Sequence, residues 1–248
     1  MTTPAEYAFI SACKYWIAHD RDFTEKLRGN TKNIQSNLRK IGNIYFVNRT
    51  IRGGAEKKLI NAIEKSGQTE KMQLQERAKC LSDELVKCGA PPSAASKFSW
   101  FVWPLGWTMF DRLTCDAVLG ANQGPAMKKF QKFYEELDSR GWSTLLCCIR
   151  EILSKHNYEP LLAERTIDKF LMLSGTPHYK FLIICNDLDD FKNTLNKSHN
   201  IDFDIVNNDI SECLKRSSLI FAGKPSLATL SPHQNYKFKL LTEQISNA

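Results

Sequence analysis

The chain has 248 residues, which is enough for one large domain or for two lobes that share a cleft. Hydrophobic residues make up 42% and charged residues 25% of the sequence, as in an ordinary globular protein, and no apolar run is long enough to predict a membrane-spanning helix. The formal net charge of +7 is moderately basic and compatible with a polyanionic partner, although many proteins without one carry a similar charge.

The N-terminal residues carry no basic segment followed by an apolar one, so the sequence predicts no secretory signal and a cytoplasmic protein. No two of the eight cysteines are spaced C-x-x-C, which favours reduced thiols over a disulfide framework in a chain of this length. The five histidines are scattered and form no H-E-x-x-H or H-x-E pattern. We therefore predict no metal site and no cofactor.

Helical periodicity extends through nearly the whole chain, and glycines and prolines mark the ends of its elements. Residues 44–54 are predicted as an extended segment or a loop, and residues 179–196 as one helix or as a short strand at 181–185 followed by a helix. Ser143 is predicted to cap the helix that follows it. The remaining predicted helices cover residues 4–19, 22–40, 55–66, 69–88, 125–139, 143–156, 160–173, 205–214 and 236–245.

The stretch from Ala90 to Leu119 is the most informative part of the chain. It reads as a tight turn, a helix, an aromatic loop and a second helix that begins at Asp111. A carboxylate in that position is held by a helix N-terminus, and the preceding turn has amides that can hold a phosphate. This arrangement suits chemistry on DNA.

The same stretch resembles the helix-hairpin-helix superfamily of DNA glycosylases, in which a hairpin reading roughly L-P-G-V-G-x-K-x-A precedes an essential aspartate. Residues 89–97 look like a diverged hairpin with Ser93 in the lysine position, and Asp111 follows 18 residues later. Residues 111–119 are similar to the V-D-x-x-V-x-R-h-L helix start of the family, and residues 164–175 to its R-x-h-D-x-x-L-x-x-x-G helix.

The resemblance implies an all-α fold of two lobes with a cleft between them. It also implies a single glycosylase-like module over residues 1–248, with the helix-hairpin-helix and the catalytic aspartate at about 80–120. It implies a monomeric enzyme that binds double-stranded DNA, flips out a modified or damaged base and hydrolyses its N-glycosidic bond to leave an abasic site. Such an enzyme serves base excision repair or defence against phage with modified DNA. Ser93 replaces the lysine that forms a Schiff base in bifunctional members, which implies a monofunctional enzyme. Pro91 and Pro92 also depart from the family hairpin.

Asp111 is the predicted catalytic residue. Cleavage of an N-glycosidic bond builds oxocarbenium character on the sugar, and a carboxylate near C1′ stabilises that cation and orients the attacking water. The alternative is that Asp111 is only the N-cap of the helix that follows. Lys97 lies one helical turn beyond Ser93 and is predicted to line the site, where a desolvated lysine can also serve as a nucleophile.

The base pocket and the DNA contacts are predicted from residue types. Trp107 and Trp103 offer aromatic faces to a flipped base, and Asp168 offers a hydrogen bond to it. The two tryptophans also fit a hydrophobic core, and Asp168 also fits a surface aspartate or an internally paired one. The polar residues predicted to contact DNA are Ser93, Ser96, Arg112, Arg49 and Arg52.

Two other functions fit the sequence. One is a DNA-binding module that keeps the helix-hairpin-helix fold without chemistry, and the other is an unrelated helical scaffold whose aromatic residues are all core. Substitution of Asp111 by Asn separates the enzyme from the binding module. Salt-dependent DNA affinity separates both of them from the scaffold.

Overall fold

A computed structural model of the protein describes residues 2–28, 34–45, 47, 55–66, 71–89, 91–120, 125–198 and 203–220. Within these ranges the chain is mainly helical and has no strand, which confirms the predicted all-α class. The α-helices are α1 (Pro4–Tyr15), α2 (Arg21–Leu27), α3 (Ile34–Ile44), α4 (Ala55–Ser66), α5 (Leu74–Cys88), α6 (Pro92–Val102), α7 (Arg112–Leu119), α8 (Ala126–Ser139), α9 (Trp142–Lys155), α10 (Leu162–Gly175), α11 (His178–Ser198) and α12 (Phe203–Arg216). A π-helical turn at Trp16–Asp20 continues α1.

Most predicted helices are confirmed, and two of them differ in continuity. The single helix predicted over 22–40 is instead the pair α2 and α3, because the backbone leaves helical geometry at Arg28, which has φ −55° and ψ 117°. Residues 179–196 belong to the one helix α11, and the alternative with a strand at 181–185 is wrong.

The cap predicted for α9 is also wrong. The helix begins at Trp142, and the residue before it is Gly141 in the left-handed conformation with φ 86°, so Ser143 already lies inside the helix. The helix predicted at 236–245 lies outside the described residues, as does most of segment 44–54.

The tight turn predicted before α6 is confirmed, because it lies between the end of α5 and the start of α6. Helix α5 ends at Cys88, and Gly89 follows with a φ of 67°, a conformation that costs glycine little and other residues more. Pro92 is the first residue of α6, where the fixed φ of proline fits and no helical hydrogen bond is lost. The proline-rich sequence is therefore compatible with a short helix–turn–helix connection.

Helix α10 lies at the centre of the packing. It contacts α1 and α7 more extensively than it contacts other helices. At its C-terminal end, a Cβ added to Gly175 would meet the carbonyl oxygen of Leu113 at 1.9 Å. Glycine at this position therefore determines how closely the start of α7 approaches α10.

Two cysteines that are far apart in the sequence lie next to each other in the structure. The sulfur of Cys148 in α9 is adjacent to that of Cys213 in α12, across a sequence separation of 65 residues. The cysteines that the structure describes as free are Cys13, Cys80, Cys115, Cys147 and Cys185.

Among the residues that the structure describes, no helix is both long enough and apolar enough to cross a membrane. The same part of the chain contains no group of three or more His, Cys, Asp or Glu side chains that could hold a metal ion.

Candidate active site at the start of helix α7

The aromatic loop at 103–110 is fixed to α5 at its beginning. The guanidinium of Arg77 donates hydrogen bonds to the carbonyl oxygens of Trp103 at 2.5 Å and Leu105 at 2.9 Å. These bonds satisfy backbone acceptors that no helix supplies with donors. The direction in which the loop leaves α6 is therefore determined by a side chain from a different helix.

The same loop is fixed to α10 through Glu164. The carboxylate of Glu164 accepts a hydrogen bond from the amide of Gly106 at 2.9 Å and forms an ion pair with Arg150. Burial raises the pKa of Glu164, and the charge of Arg150 and the Gly106 amide act against this shift. Gly106 has a φ of +67°, so the tight turn that presents its amide requires a residue without a Cβ.

Trp107 is a core residue. Its side chain is 0% exposed, and its ring stacks on Tyr134 with centroids 4.4 Å apart. The indole N–H donates to the carbonyl oxygen of Ser96 at 3.0 Å, and the guanidinium of Arg77 lies 4.7 Å from the ring centroid. The prediction that Trp107 forms the base pocket does not agree with this position, because no part of the ring is accessible to a base.

Two further predicted site residues have internal roles. Trp103 is half-buried and packs against the hydrophobic core, and it does not line the pocket described below. Ser96 is 0% exposed, and its hydroxyl accepts from the amide of Phe110 at 2.9 Å. Ser96 is therefore unavailable as a DNA phosphate contact, and it instead fixes the end of the aromatic loop next to Asp111.

Asp111 is the N-cap of α7 and also faces a lysine. Its Oδ1 accepts from the amide of Thr114 at 3.0 Å, and the Thr114 hydroxyl accepts from the amide of Asp111 at 2.9 Å, which completes a capping box. Its Oδ2 lies 3.5 Å from Nζ of Lys97. The predicted cap is thus confirmed, but it engages one carboxylate oxygen and leaves the other directed at Lys97.

The surroundings of Asp111 favour its ionised form. Burial by itself raises the pKa of this carboxyl, but the charge of Lys97, the amide of Thr114 and the charge of Lys169 together lower the pKa below its ordinary value. The side chain keeps 29% of its surface exposed. Asp111 is therefore a carboxylate at neutral pH that solvent or a ligand can still reach.

Lys97 and Ser93 lie one turn apart at the start of α6, as the sequence predicts. The ammonium of Lys97 donates to the Ser93 hydroxyl at 3.1 Å and faces Asp111, and its side chain is 7% exposed. Both residues line the pocket. The amine of Lys97 thus has two partners. It pairs with the Asp111 carboxylate and places a positive charge beside it.

Asp168 is an internally paired aspartate that lines the pocket. Its Oδ1 accepts from the amide of Met109 at 3.2 Å, and its Oδ2 accepts from the guanidinium of Arg165 at 2.5 Å. Arg165 also donates to Asp20 at 2.6 Å and to the hydroxyl of Tyr45 at 2.6 Å. Burial raises the pKa of Asp168, although Arg165 opposes this shift. We name these four side chains, Asp20, Tyr45, Arg165 and Asp168, the Arg165 cluster.

Lys169 is a site residue that the sequence did not predict. It is 2% exposed, its Nζ lies 3.3 Å from the ring centroid of Tyr15, and it donates to the sulfur of Met172 at 4.0 Å. It makes no ion pair within 4.0 Å among the described residues. Burial, with the like charge of Arg165, lowers the pKa of Lys169 from 10.5 to about 7, and the nearby carboxylates oppose this shift only in part.

These side chains surround a single pocket of about 390 Å³. Its volume falls within the range of about 300–1,000 Å³ that small-molecule sites occupy. Arg112, the first residue of α7, is exposed beside the pocket, as expected for a residue that could meet a phosphate. The charged residues that line the pocket are Asp111, Asp168, Lys97, Arg112, Arg165 and Lys169.

Arg49 and Arg52, the other predicted DNA contacts, lie outside the described residues. No protein family, no curated protein and no solved structure matches the chain. The arrangement of the pocket is therefore the basis on which its chemistry can be judged.

Proposed function

We propose that the protein is a DNA glycosylase that takes a modified or damaged base from double-stranded DNA and hydrolyses its N-glycosidic bond. The observation that carries this proposal is the meeting of Asp111, a capped and ionised carboxylate, with two lysines in one pocket. In this proposal the pocket is the base-binding end of a cleft between two lobes, as in the helix-hairpin-helix glycosylases that the sequence resembles.

The chemistry assigns Asp111 to the sugar. As the bond between C1′ and the base nitrogen breaks, positive charge develops on the sugar ring, and a fixed carboxylate close to it stabilises that charge. The capping bonds hold Asp111 without reorganisation, which is what makes such stabilisation effective. A water molecule then attacks C1′ and gives its proton to the departing base, which leaves an abasic site.

The cationic side chains around the pocket support a polyanionic substrate. Lys97, Arg112 and Arg165 outnumber the two carboxylates Asp111 and Asp168, and Lys169 adds a partial positive charge at neutral pH. Arg165 is consumed by its cluster, so Arg112 at the exposed rim is the residue that we assign to a DNA phosphate. Ser93, half-buried in the first turn of α6, is assigned to the same strand.

The test of this proposal is an alkali-cleavage assay for abasic sites. Purified protein is incubated with DNA duplexes that carry an oxidised, an alkylated, a deaminated or a glucosylated hydroxymethyl base, and breaks are scored with and without alkali. We expect alkali-dependent breaks with one substrate class and their loss in Asp111→Asn. Asparagine caps a helix about as well as aspartate, so this variant removes the charge and keeps the fold.

Asp116→Asn is the matched control, because it makes the same change on the same helix away from the pocket. Equal activity in Asp111→Asn and the wild type would reduce Asp111 to a cap and would contradict the proposal. Inactivity on all substrates with salt-dependent DNA binding would favour the binding module. Inactivity without any DNA binding would favour the helical scaffold.

A further inference from the structure

The charges that line the pocket do not cancel. Each carboxylate of the pocket is already paired with a cation, in the pairs Lys97–Asp111 and Arg165–Asp168. Two further cationic side chains, Arg112 and Lys169, line the same pocket and form no ion pair with any described residue. The pocket therefore has more cations than the carboxylates of its own lining can neutralise.

The two unpaired cations lie at different depths. Arg112 is exposed at the rim, where solvent screens its charge. Lys169 is 2% exposed, with its Nζ 3.3 Å from the ring centroid of Tyr15 and a hydrogen bond of 4.0 Å to the sulfur of Met172. A thioether accepts hydrogen bonds weakly, and a buried ammonium needs a strong acceptor to replace the water that it has lost. The pocket is the space from which a ligand can supply that acceptor.

From this charge balance we infer that the pocket recognises a negatively charged group next to Lys169, and that this group is a carboxylate carried by the base that enters the pocket. A single ammonium matches a single negative charge, which favours a carboxylate over a phosphate dianion. A DNA phosphate also stays on the backbone, outside a site into which a base is extruded. Recognition of an anion follows from the charges, whereas its assignment to a base rests on the proposed function.

The walls of the pocket suit a planar ring that carries such a group. Tyr15 and Tyr45 line the pocket with their ring centroids 6.4 Å apart, and Met109 and Met172 add apolar surface. Aromatic and apolar walls with a few placed polar groups are typical of sites that bind ring-shaped ligands. A neutral base would use only these walls, whereas an acidic base would also give Lys169 its missing partner.

Binding of an anion here should be coupled to the uptake of a proton. Burial, with the like charge of Arg165, lowers the pKa of Lys169 to about 7, so about half of this lysine is protonated at pH 7. A carboxylate beside Nζ favours the protonated form, so the complex takes up about half a proton at pH 7. The other charged and titratable groups around this amine are Tyr15 of α1, Asp20 of the π-helical turn, Lys97 of α6, Asp111 and Arg112 of α7, and Arg165 and Asp168 of α10.

The first experiment uses the full chain without DNA and compares benzoate with benzamide, which share a planar ring and differ in charge. Isothermal titration calorimetry at pH 7, in two buffers with different heats of ionisation, gives both the affinity and the number of protons taken up. We expect benzoate to bind about tenfold tighter than benzamide, with about half a proton taken up, and to bind more weakly as the pH is raised from 7 to 9. Lys169→Met should abolish the preference, and Lys132→Met, at an exposed lysine outside the pocket, should keep it.

Equal affinities of the wild type for benzoate and benzamide would overturn the inference, and this comparison does not depend on the folding of any variant. A preference for benzoate that persists in Lys169→Met would place the anion on another cation, such as Arg112, and would also overturn it. So would benzoate binding without proton uptake.

The second experiment tests the assignment to a base. Two duplexes carry, at the same position, a cytosine with a carboxyl group or the corresponding carboxamide. We expect the wild type to excise the carboxylated base with a kcat/KM about tenfold higher, and Lys169→Met to lose this preference. Excision without such a preference would contradict the inference and leave the glycosylase intact. A preference for benzoate in a protein that excises no base from any duplex would contradict the glycosylase and leave the anion site.

Discussion

Helix α10 carries two buried cations one turn apart, and their surroundings are opposite. Arg165 donates to Asp20, Asp168 and Tyr45, and these partners raise the pKa of its guanidinium. Lys169 has an aromatic ring and a sulfur as neighbours, and its pKa falls to about 7. One helix thus lines the same pocket with one fully partnered cation and one poorly partnered cation.

The difference separates a buried charge that supports the fold from a buried charge that costs the fold stability. A buried charge is tolerated when partners replace the water that it has lost, and the Arg165 cluster meets that condition. A buried lysine without such partners destabilises the folded state. Groups of this kind are concentrated at functional sites, where an altered pKa is useful. Lys169 therefore costs the folded protein stability, whereas Arg165 with its partners does not.

Arg165→Met should produce the largest effect on stability. The substitution leaves the carboxylates of Asp20 and Asp168 buried without their cation, and breaking a buried pair in this way costs about 3–5 kcal/mol. Urea denaturation should show the midpoint falling accordingly. Arg216→Met is the control, because that side chain is 82% exposed, and its midpoint should not change measurably. A similar small effect in both variants would mean that the cluster does not hold α10 to its neighbours.

Lys169→Met should act in the opposite direction and stabilise the protein. The lowered pKa means that burial disfavours the charged form, and at roughly 1.4 kcal/mol per pKa unit the removal of this cost is worth about 2–4 kcal/mol at pH 7. The unfolded chain binds more protons between pH 7 and 10.5, so wild-type stability rises with pH over that range. The advantage of the variant should therefore shrink between these pH values.

Urea midpoints measured at pH 7, 8, 9 and 10 would test this expectation. Lys132→Met, a change at an exposed lysine of α8, should give a small difference that is independent of pH. A Lys169→Met protein that is less stable than the wild type at every pH would show that the lysine is a structural residue. In that case the contrast with Arg165 would be lost.

The contrast between the two cations could not be predicted from the sequence. Glu164, Arg165, Asp168 and Lys169 recur at helical spacing, and such a stripe of charges normally predicts a solvated helix face. In the structure, every residue from 161 to 170 is buried. Partners from α1, the π-helical turn, α9 and the aromatic loop cover the stripe, and no local pattern predicts contacts with residues so far away in the sequence.

The start of α7 could be predicted, because its signals are local. A helix start is encoded within a few residues. The sequence therefore predicts the cap at Asp111, the preceding loop and the turn after Gly89. The role of Trp107 was not, since the groups that cover its ring belong to the distant helices α5 and α8. Aromatic residues near a motif fit a core and a pocket equally well until their partners are known.

Gly175→Ala should have an intermediate effect on stability, because Gly175 is where α10 meets the start of α7. The added methyl group would lie 1.9 Å from the carbonyl oxygen of Leu113, so α7 must move away from α10. Overpacking of this kind costs about 1–3 kcal/mol. Urea denaturation measures the loss, and Ser174→Ala on the preceding residue should stay within about 0.5 kcal/mol. An unchanged midpoint in Gly175→Ala would mean that the start of α7 adjusts freely.

Substitutions at Asp111 should have the smallest effect on stability. They also separate the capping role of this residue from the role of its charge. Asp111→Ala removes the cap and costs about 1 kcal/mol, whereas Asp111→Asn keeps the bond from the Thr114 amide and should lose only the smaller contribution of the charge. The lowered pKa of Asp111 contributes stability above its ordinary pKa of 3.8, and this contribution is lost as the pH falls further. The Asn variant should therefore lose less stability than the wild type when the pH is lowered from 5 to 3.

If both variants are inactive while only Asp111→Ala is destabilised, then the charge, and not the cap, is what the pocket uses. If Asp111→Asn is as destabilised as Asp111→Ala, the carboxylate stabilises the fold through Lys97, and the pocket contains a second structural ion pair instead of a catalytic one.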